Sequence, residues 1–325
     1  MMIEPERLRS WLERSHRIRI HALAPVSGGE DANAMGFRAD TDDGRSLFVK
    51  IRRGRSKTNA DLLLALFERL GSIVVAPVAD GRGRLTARFA GASVTVFPYV
   101  EGIDGFQSDP SLAQMHSLGQ AIRRLHDVEP RSLRQTLPAF RIGIRFLDRL
   151  TKQLDALDQS PANDVLSTHF RTLLEPHRTS LSHLLGETRD LYERRCDDVF
   201  RPVVCHGDLH AGNLLLGKDG EIRIVDWDGL CRGPAELDLM MIGAGIGGKL
   251  SSSVAVAAFY DGYGAVTVDR ERIRLLRSLR IVEDLSLFTT RILDPSTSEA
   301  DRRRDIGFVL SNFAPGETID RARNN

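Results

Sequence analysis

Hydrophobic positions along the chain follow a helical period, then a period of two, then a helical period again. Between Pro5 and His16, Leu8, Trp11 and Leu12 share one face and a proline stands in the first turn, which predicts a helix on the outside of a first lobe. From Ala24 the run PVSGGEDANAMGFRAD holds the pair Gly28 and Gly29, then alternates into Phe37 and Ala39, the pattern of a hairpin. Residues 46–51 alternate Leu47, Val49 and Ile51 against Phe48 and Lys50, and further strands are predicted over 73–78, 85–89 and 93–99. One helix interrupts them at 58–70, with Leu62, Leu63, Leu66, Phe67 and Leu70 as its apolar stripe. These elements predict a five-stranded antiparallel sheet with a helix.

The segment 97–102, FPYVEG, breaks an apolar run with Pro and Gly and reads as a hinge. Beyond it Leu112, Met115, Leu118, Ile122 and Leu125 mark a helix that ends near His126, which reads as a C-terminal capping residue. More helices are expected over 144–157, 164–175, 178–197, 254–260, 270–293 and 301–312, with one opening at Pro234. The class is α+β in two lobes, 1–101 and a mostly helical 102–325.

Composition narrows the picture. At 325 residues and 42% hydrophobic the chain can bury a proper core. A net charge of +1 argues against a nucleic-acid partner. Cys196, Cys205 and Cys231 are too few and too irregular for a disulfide framework or a zinc site, which suits a reducing compartment. The charged N-terminus lacks the apolar core of a signal peptide, and no stretch reaches the ~18 apolar residues of a membrane span, so a soluble cytoplasmic protein is expected.

Chemistry concentrates in VCHGDLHAGNLLLGKDGEIRIVDWD, residues 204–228. His206-Gly207-Asp208 followed by Asn213 has the order of a phosphoryl-transfer loop, in which Asp accepts the proton of the attacking hydroxyl and Asn holds a metal. A short strand then delivers Asp226, the second candidate metal ligand, with Asp228 two residues on. His-Gly-Asp alone would be an ordinary turn; the three pieces in order are not. Lys50 follows the Gly28-Gly29 turn by about 20 residues, the spacing of a phosphate-binding lysine, although a lysine there also suits the wet side of a sheet. Gly28 and Gly29 fit either a plain hairpin or a turn laid over nucleotide phosphates.

This constellation resembles the aminoglycoside phosphotransferase family of small-molecule kinases, with its HGD-x-x-x-x-N loop and I-D-W metal strand. IVDWDGLCRGPAELDLMMIGAGIGG, FYDGYG and RIVEDL bring it nearest to the spectinomycin-modifying members. The likeness runs from about Ser27 onward and is dense in the C-terminal half. It implies a protein-kinase-like two-lobe fold, ATP and Mg2+ as cofactors, Asp208 as base, Asn213 and Asp226 on the metal, and Lys50 on the phosphates. Asp61, the acid nearest the start of its helix, would orient Lys50, with Glu68 further along. Phe97 or Tyr99 would lie beside the adenine, unless they simply end a buried strand. Asp238 would steady the catalytic loop or sit favourably at a helix N-terminus. The acceptor implied is a hydroxyl of a small cationic aminocyclitol or aminoglycoside, spectinomycin foremost, with Glu283 and Asp284 facing either the cleft or water. Kinases of choline, homoserine or a sugar would share the same residues, and an ATP-binding pseudokinase is a third reading. A protein kinase is disfavoured because no D-F-G or A-P-E segment follows Asp226.

Overall fold

The computed structural model describes residues 3–26, 34–53, 59–133, 136–159, 164–218, 220–243, 249–314, 316 and 318–320. Helix α1 (Pro5–His16) starts on its proline and ends where Arg17 turns left-handed at φ 56. Strands β1 (Ile20–Val26), β2 (Ala34–Thr41) and β3 (Ser46–Arg52) lead to helix α2 (Ala60–Leu70), and β4 (Thr86–Phe89) and β5 (Ala92–Pro98) complete the sheet. The order is β1-β2-β3-β5-β4, every neighbour antiparallel.

Alternation sorts the two faces of this sheet. Phe37, Ala39, Leu47, Val49, Ile51, Val94 and Val96 bury one face together with Leu8 and Leu12 of α1. Register puts Lys50 opposite Gly36 and Thr95, on the other face, which carries Arg38, Phe48, Arg52 and Phe97.

Residues 73–78 are not a sheet strand. Gly71 turns the chain at φ 72 into one 3-10 turn, after which Val74 bridges Ile224 of the second lobe and Val78 donates to the Val96 carbonyl. Pro77, which lacks a donor, suits a connector better than a ladder. In α2, Leu62, Leu63, Leu66 and Leu70 are buried as expected, whereas Phe67 is exposed.

The second lobe begins with β6 (Ile103–Asp104) and α3 (Leu112–His126), whose start is closed by a reciprocal Ser111–Gln114 capping box. Helices α4 (Arg145–Gln159), α5 (Val165–Leu174) and α6 (Arg178–Arg195) follow, the last two separated by a turn containing Pro176. Then come β7 (Val203–Cys205), β8 (Leu214–Leu216), β9 (Ile222–Ile224), β10 (Cys231–Gly233), and helices α7 (Glu236–Leu239), α8 (Ser253–Tyr263), α9 (Arg270–Leu293) and α10 (Glu299–Ser311). Gly119 of α3 and Gly262 of α8 let the two helices touch backbone to backbone, since a Cβ on either would strike the other helix's main chain.

One core joins α2, α3, α8 and the β8–β9 hairpin, from Leu62 and Leu66 through Met115 and Ile122 to Phe259. A second joins α4, α5, α6, α9 and α10 around Leu147, Phe170, Leu184, Val282 and Ile306. The short strands between these cores carry the site.

Candidate active site

Strand β7 leads into His206, which is fully buried, and the chain turns at Gly207 with φ 84. A Cβ on Gly207 would collide with the Gly229 carbonyl, so this bend needs glycine. Asp238 fixes the bend from behind: its carboxylate accepts from the backbone N–H of His206 at 2.9 Å and of Gly207 at 2.8 Å. His126 Nε2 donates to the same carboxylate at 3.1 Å, and its Nδ1 shares a 2.8 Å hydrogen bond with the Tyr263 hydroxyl. Burial pushes the Asp238 carboxyl up, but the hydrogen bond from His126 and that from the Gly207 N–H help to outweigh it and hold the group below the usual carboxylate range. His126 is therefore no helix cap; the α3 terminus is closed by the Asp127 backbone N–H.

His206 in turn links this loop to the segment that follows β9. Its Nε2 donates to the Val225 carbonyl at 3.1 Å, leaving Nδ1 to accept from the Asp208 N–H at 3.3 Å, while its ring meets Trp227 edge-on at 4.6 Å. Asn213 adds two ties: its Nδ2 donates to the Asp208 carbonyl at 2.8 Å, and its own carbonyl accepts from the Val225 N–H at 2.9 Å. Two residues beyond β9, Asp226 adopts φ 58 and ψ 62, a left-handed conformation that aspartate tolerates better than most residues.

Across the cleft, Lys50 Nζ lies 2.8 Å from both Asp226 Oδ1 and Asp228 Oδ2, and Arg52 also bonds Asp228. Burial pushes the Asp226 carboxyl up, yet the Lys50 ammonium overrides it and keeps it below the ordinary value. Burial likewise lowers the Lys50 ammonium, and the two carboxylates more than reverse that. The carboxylate partners of Lys50 are thus Asp226 and Asp228, not Asp61, which is exposed on α2. Phe97 stands half-buried on the Lys50 face of β5, beside Phe48. Tyr99 lies under the Arg38 guanidinium, 4.4 Å from the ring centre, with Arg38 paired to Glu101 at 2.7 Å in the hinge. Gly28 and Gly29 lie outside the described residues.

Sequence reasoning missed Arg280. From α9 its Nη1 reaches Asp208 Oδ1 at 2.6 Å, and its Nε lies 3.2 Å from Asp284 Oδ1. Asp284 therefore belongs beside Asp208 and not in open water. Burial, only partly offset by Arg280, lifts its carboxyl to about 6, and burial lifts Glu283 as well. On the other side of Asp208, His210 Nε2 is 3.7 Å away, its ring stacks on Phe106 at 5.5 Å, and burial lowers its pKa.

Asp208, Asp226, Asp228, Glu283 and Asp284 face Lys50, Arg52, Arg145 and Arg280, so carboxylates outnumber cations. Oxygen donors in excess of cations are the donor set that Mg2+ takes up. With the Asn213 carboxamide next to them, the residues fit a magnesium–nucleotide site.

A two-lobed kinase-like architecture that brings Asp208, Asn213 and Asp226 together and sets Lys50 across the cleft from them is the arrangement of a phosphotransferase. Residues 23–276 match the family model described as the phosphotransferase enzyme family, APH. The chain belongs to this family, and is an enzyme that transfers a phosphoryl group to an alcohol. It is 26% identical over 268 residues to Protein StrN of Streptomyces griseus, covering 78% of this chain and 77% of that protein. Among solved structures it is similar to spectinomycin phosphotransferase APH(9)-Ia in complex with ADP and spectinomycin, with a TM-score of 0.91 and 25% identity over 100% of this chain and 99% of that one. It shares its fold with choline kinase LicA from Streptococcus pneumoniae, TM-score 0.56 and 14% identity over 94% and 98% of the two chains. No helix among the described residues is long and apolar enough to cross a membrane.

Proposed function

We propose that the chain phosphorylates a hydroxyl of spectinomycin or a closely related aminocyclitol, using MgATP. Asn213 and Asp226 would hold the metal and Lys50 the nucleotide phosphates. The bound MgATP supplies the γ-phosphoryl group. Asp208 takes the proton of the acceptor hydroxyl as that oxygen bonds to phosphorus, the β–γ bridging bond breaks, and ADP departs with the bond's electrons. Phe97 on the cleft face of β5 is the residue favoured to lie beside the adenine. Tyr99 is already covered by Arg38.

The observation that carries this reading is the acidic floor formed by Asp284 and Glu283 beside Asp208. A compact dicationic acceptor would bring ammonium groups to carboxylates whose burial Arg280 offsets only in part, whereas a neutral sugar would add no such counter-charge. The high likeness to a spectinomycin-bound relative supports the same acceptor.

Expression in a spectinomycin-sensitive bacterium, with Asp208→Asn as control, tests it. The wild-type chain should confirm resistance and release ADP with spectinomycin faster than with kanamycin. Asp208→Asn should lose roughly 10²–10⁴-fold in turnover while keeping nucleotide affinity. Equal sensitivity of both strains, with no spectinomycin-driven ADP release in vitro, would remove this acceptor and favour a kinase of another hydroxyl metabolite.

A further inference from the structure

Lys50 and Arg52, the cations facing the metal strand, are taken up by Asp226 and Asp228. His210 Nε2 stands 3.7 Å from the Asp208 carboxylate, beyond hydrogen-bond distance. Among the described residues this leaves Arg280 as the one permanent cation in contact with the Asp208 carboxylate, at 2.6 Å. Phosphoryl transfer places that carboxylate within hydrogen-bond reach of the hydroxyl attacking phosphorus, so the phosphoryl oxygens pass close to whatever is bonded to the base.

The guanidinium is held for such a task. Arg280 sits on α9 between Arg277, which donates to the Met240 and Ile242 carbonyls, and the buried pair Ile281 and Val282. Its Nε is engaged by Asp284 one helical turn on, and one Nη1 hydrogen by Asp208. Nη2 bonds to no described residue, and the side chain is 23% exposed. A planar fork anchored on two carboxylates, with donors to spare, matches the geometry by which arginine binds phosphoryl oxygens.

We propose that Arg280, besides bonding Asp208, contacts the transferring phosphoryl group and stabilises its charge as it passes to the acceptor, a cation supplied in cis from α9. The inference rests on the phosphotransferase reading of Asp208. In the step it assists, the acceptor oxygen bonds to the γ-phosphorus, the bond to the β–γ bridging oxygen breaks, the hydroxyl proton goes to Asp208, and ADP leaves. Arg280 exchanges no proton or electron. The opposing possibility is that Arg280 only masks Asp208 and must withdraw before reaction.

The full chain and its Arg280→Gln and Arg280→Lys variants separate the two. Calorimetric titration of MgADP, alone and with aluminium fluoride as mimic of the transferring group, is compared with ADP release from MgATP in the presence of spectinomycin. Arg280→Gln should bind MgADP within about twofold of wild type, lose at least about tenfold of the fluoride-dependent tightening, and turn over roughly 10²–10³-fold more slowly. Arg280→Lys, charged but without the fork, should lose about tenfold of turnover. Unchanged tightening in Arg280→Gln, or turnover equal to or above wild type, overturns the proposal. Should the Gln variant fail to fold, Arg280→Lys decides, and wild-type tightening and turnover there overturn it equally. Absence of fluoride tightening in the wild-type chain would remove the phosphotransferase reading of Asp208, and this role with it.

Discussion

Asp226 and Asp228 both touch Lys50, yet their surroundings differ. Asp228 is also bonded by Arg52, so its charge is largely committed within the protein. Asp226 stands two residues beyond β9 in a left-handed conformation, and the intervening Val225 N–H ties it to the Asn213 carbonyl. We therefore expect Asp226→Ala to weaken MgATP binding by at least about 100-fold and Asp228→Ala by roughly tenfold, since on the proposed assignment the first removes a hard oxygen ligand and the second only a counter-charge. Titration calorimetry with MgATP checks the order, and a greater loss in Asp228→Ala would make Asp228 the ligand. Asp208, Asn213, Asp226 and Lys50 were legible as candidates because each lies at a spacing set by a short local motif. Arg280 was not, because its contact to Asp208 spans 72 residues and its i,i+4 pairing with Asp284 reads as an ordinary helix-surface ion pair. Asp61 shows the converse: helix position alone could not tell that Lys50 turns to Asp226 and Asp228.

At the level of elements, α1, α3 and α9 end where the apolar period ends, because each has a strong stripe and a recognisable stop. The failure at 73–78 has the opposite cause. Those residues are apolar because Val74 joins the core between α2 and β9, and burial without ladder partners resembles a strand in sequence. His126 was misplaced for a related reason, since a histidine in a last helical turn suits capping while its true partners lie 112 and 137 residues away. Helix α3 thereby supports the catalytic loop through Asp238, whose carboxylate is completely buried. In His126→Phe, Asp238 would keep its two backbone donors and lose its side-chain partner. We expect a loss of about 2–4 kcal/mol of stability together with a fall in turnover larger than that of Tyr263→Phe, which removes only the outer hydroxyl. Denaturant unfolding and steady-state rates measure both. A His126→Phe chain with wild-type stability and turnover would mean that Asp238 steadies the loop without its histidine.

On the scale of the whole molecule, the hinge near residues 99–102 divides the sheet from the helices, but the packing does not divide there. The sheet and α1 share one core, whereas α2, which precedes the hinge, buries Leu62, Leu63, Leu66 and Leu70 against Met115, Leu118 and Ile122 of the second lobe. Asn59 at the start of α2 donates across the cleft to the Trp227 carbonyl at 3.2 Å, beside the Lys50 and Arg52 pairs. A first lobe cut at residue 101 would therefore leave four leucines of α2 uncovered. At about 1.5–3 kcal/mol for each buried leucine, the loss is about 6–12 kcal/mol, comparable to the entire stability of an ordinary domain. We expect a 1–101 fragment not to fold as a soluble unit. The full chain should melt in one calorimetric transition, with the measured enthalpy close to the van't Hoff value, because α2 couples the lobes. Saturating MgATP should raise that single transition without splitting it, since the site is built from both lobes. A dispersed amide spectrum from the isolated fragment, or two resolved transitions in the full chain, would show that the sheet and α1 hold together without the shared core.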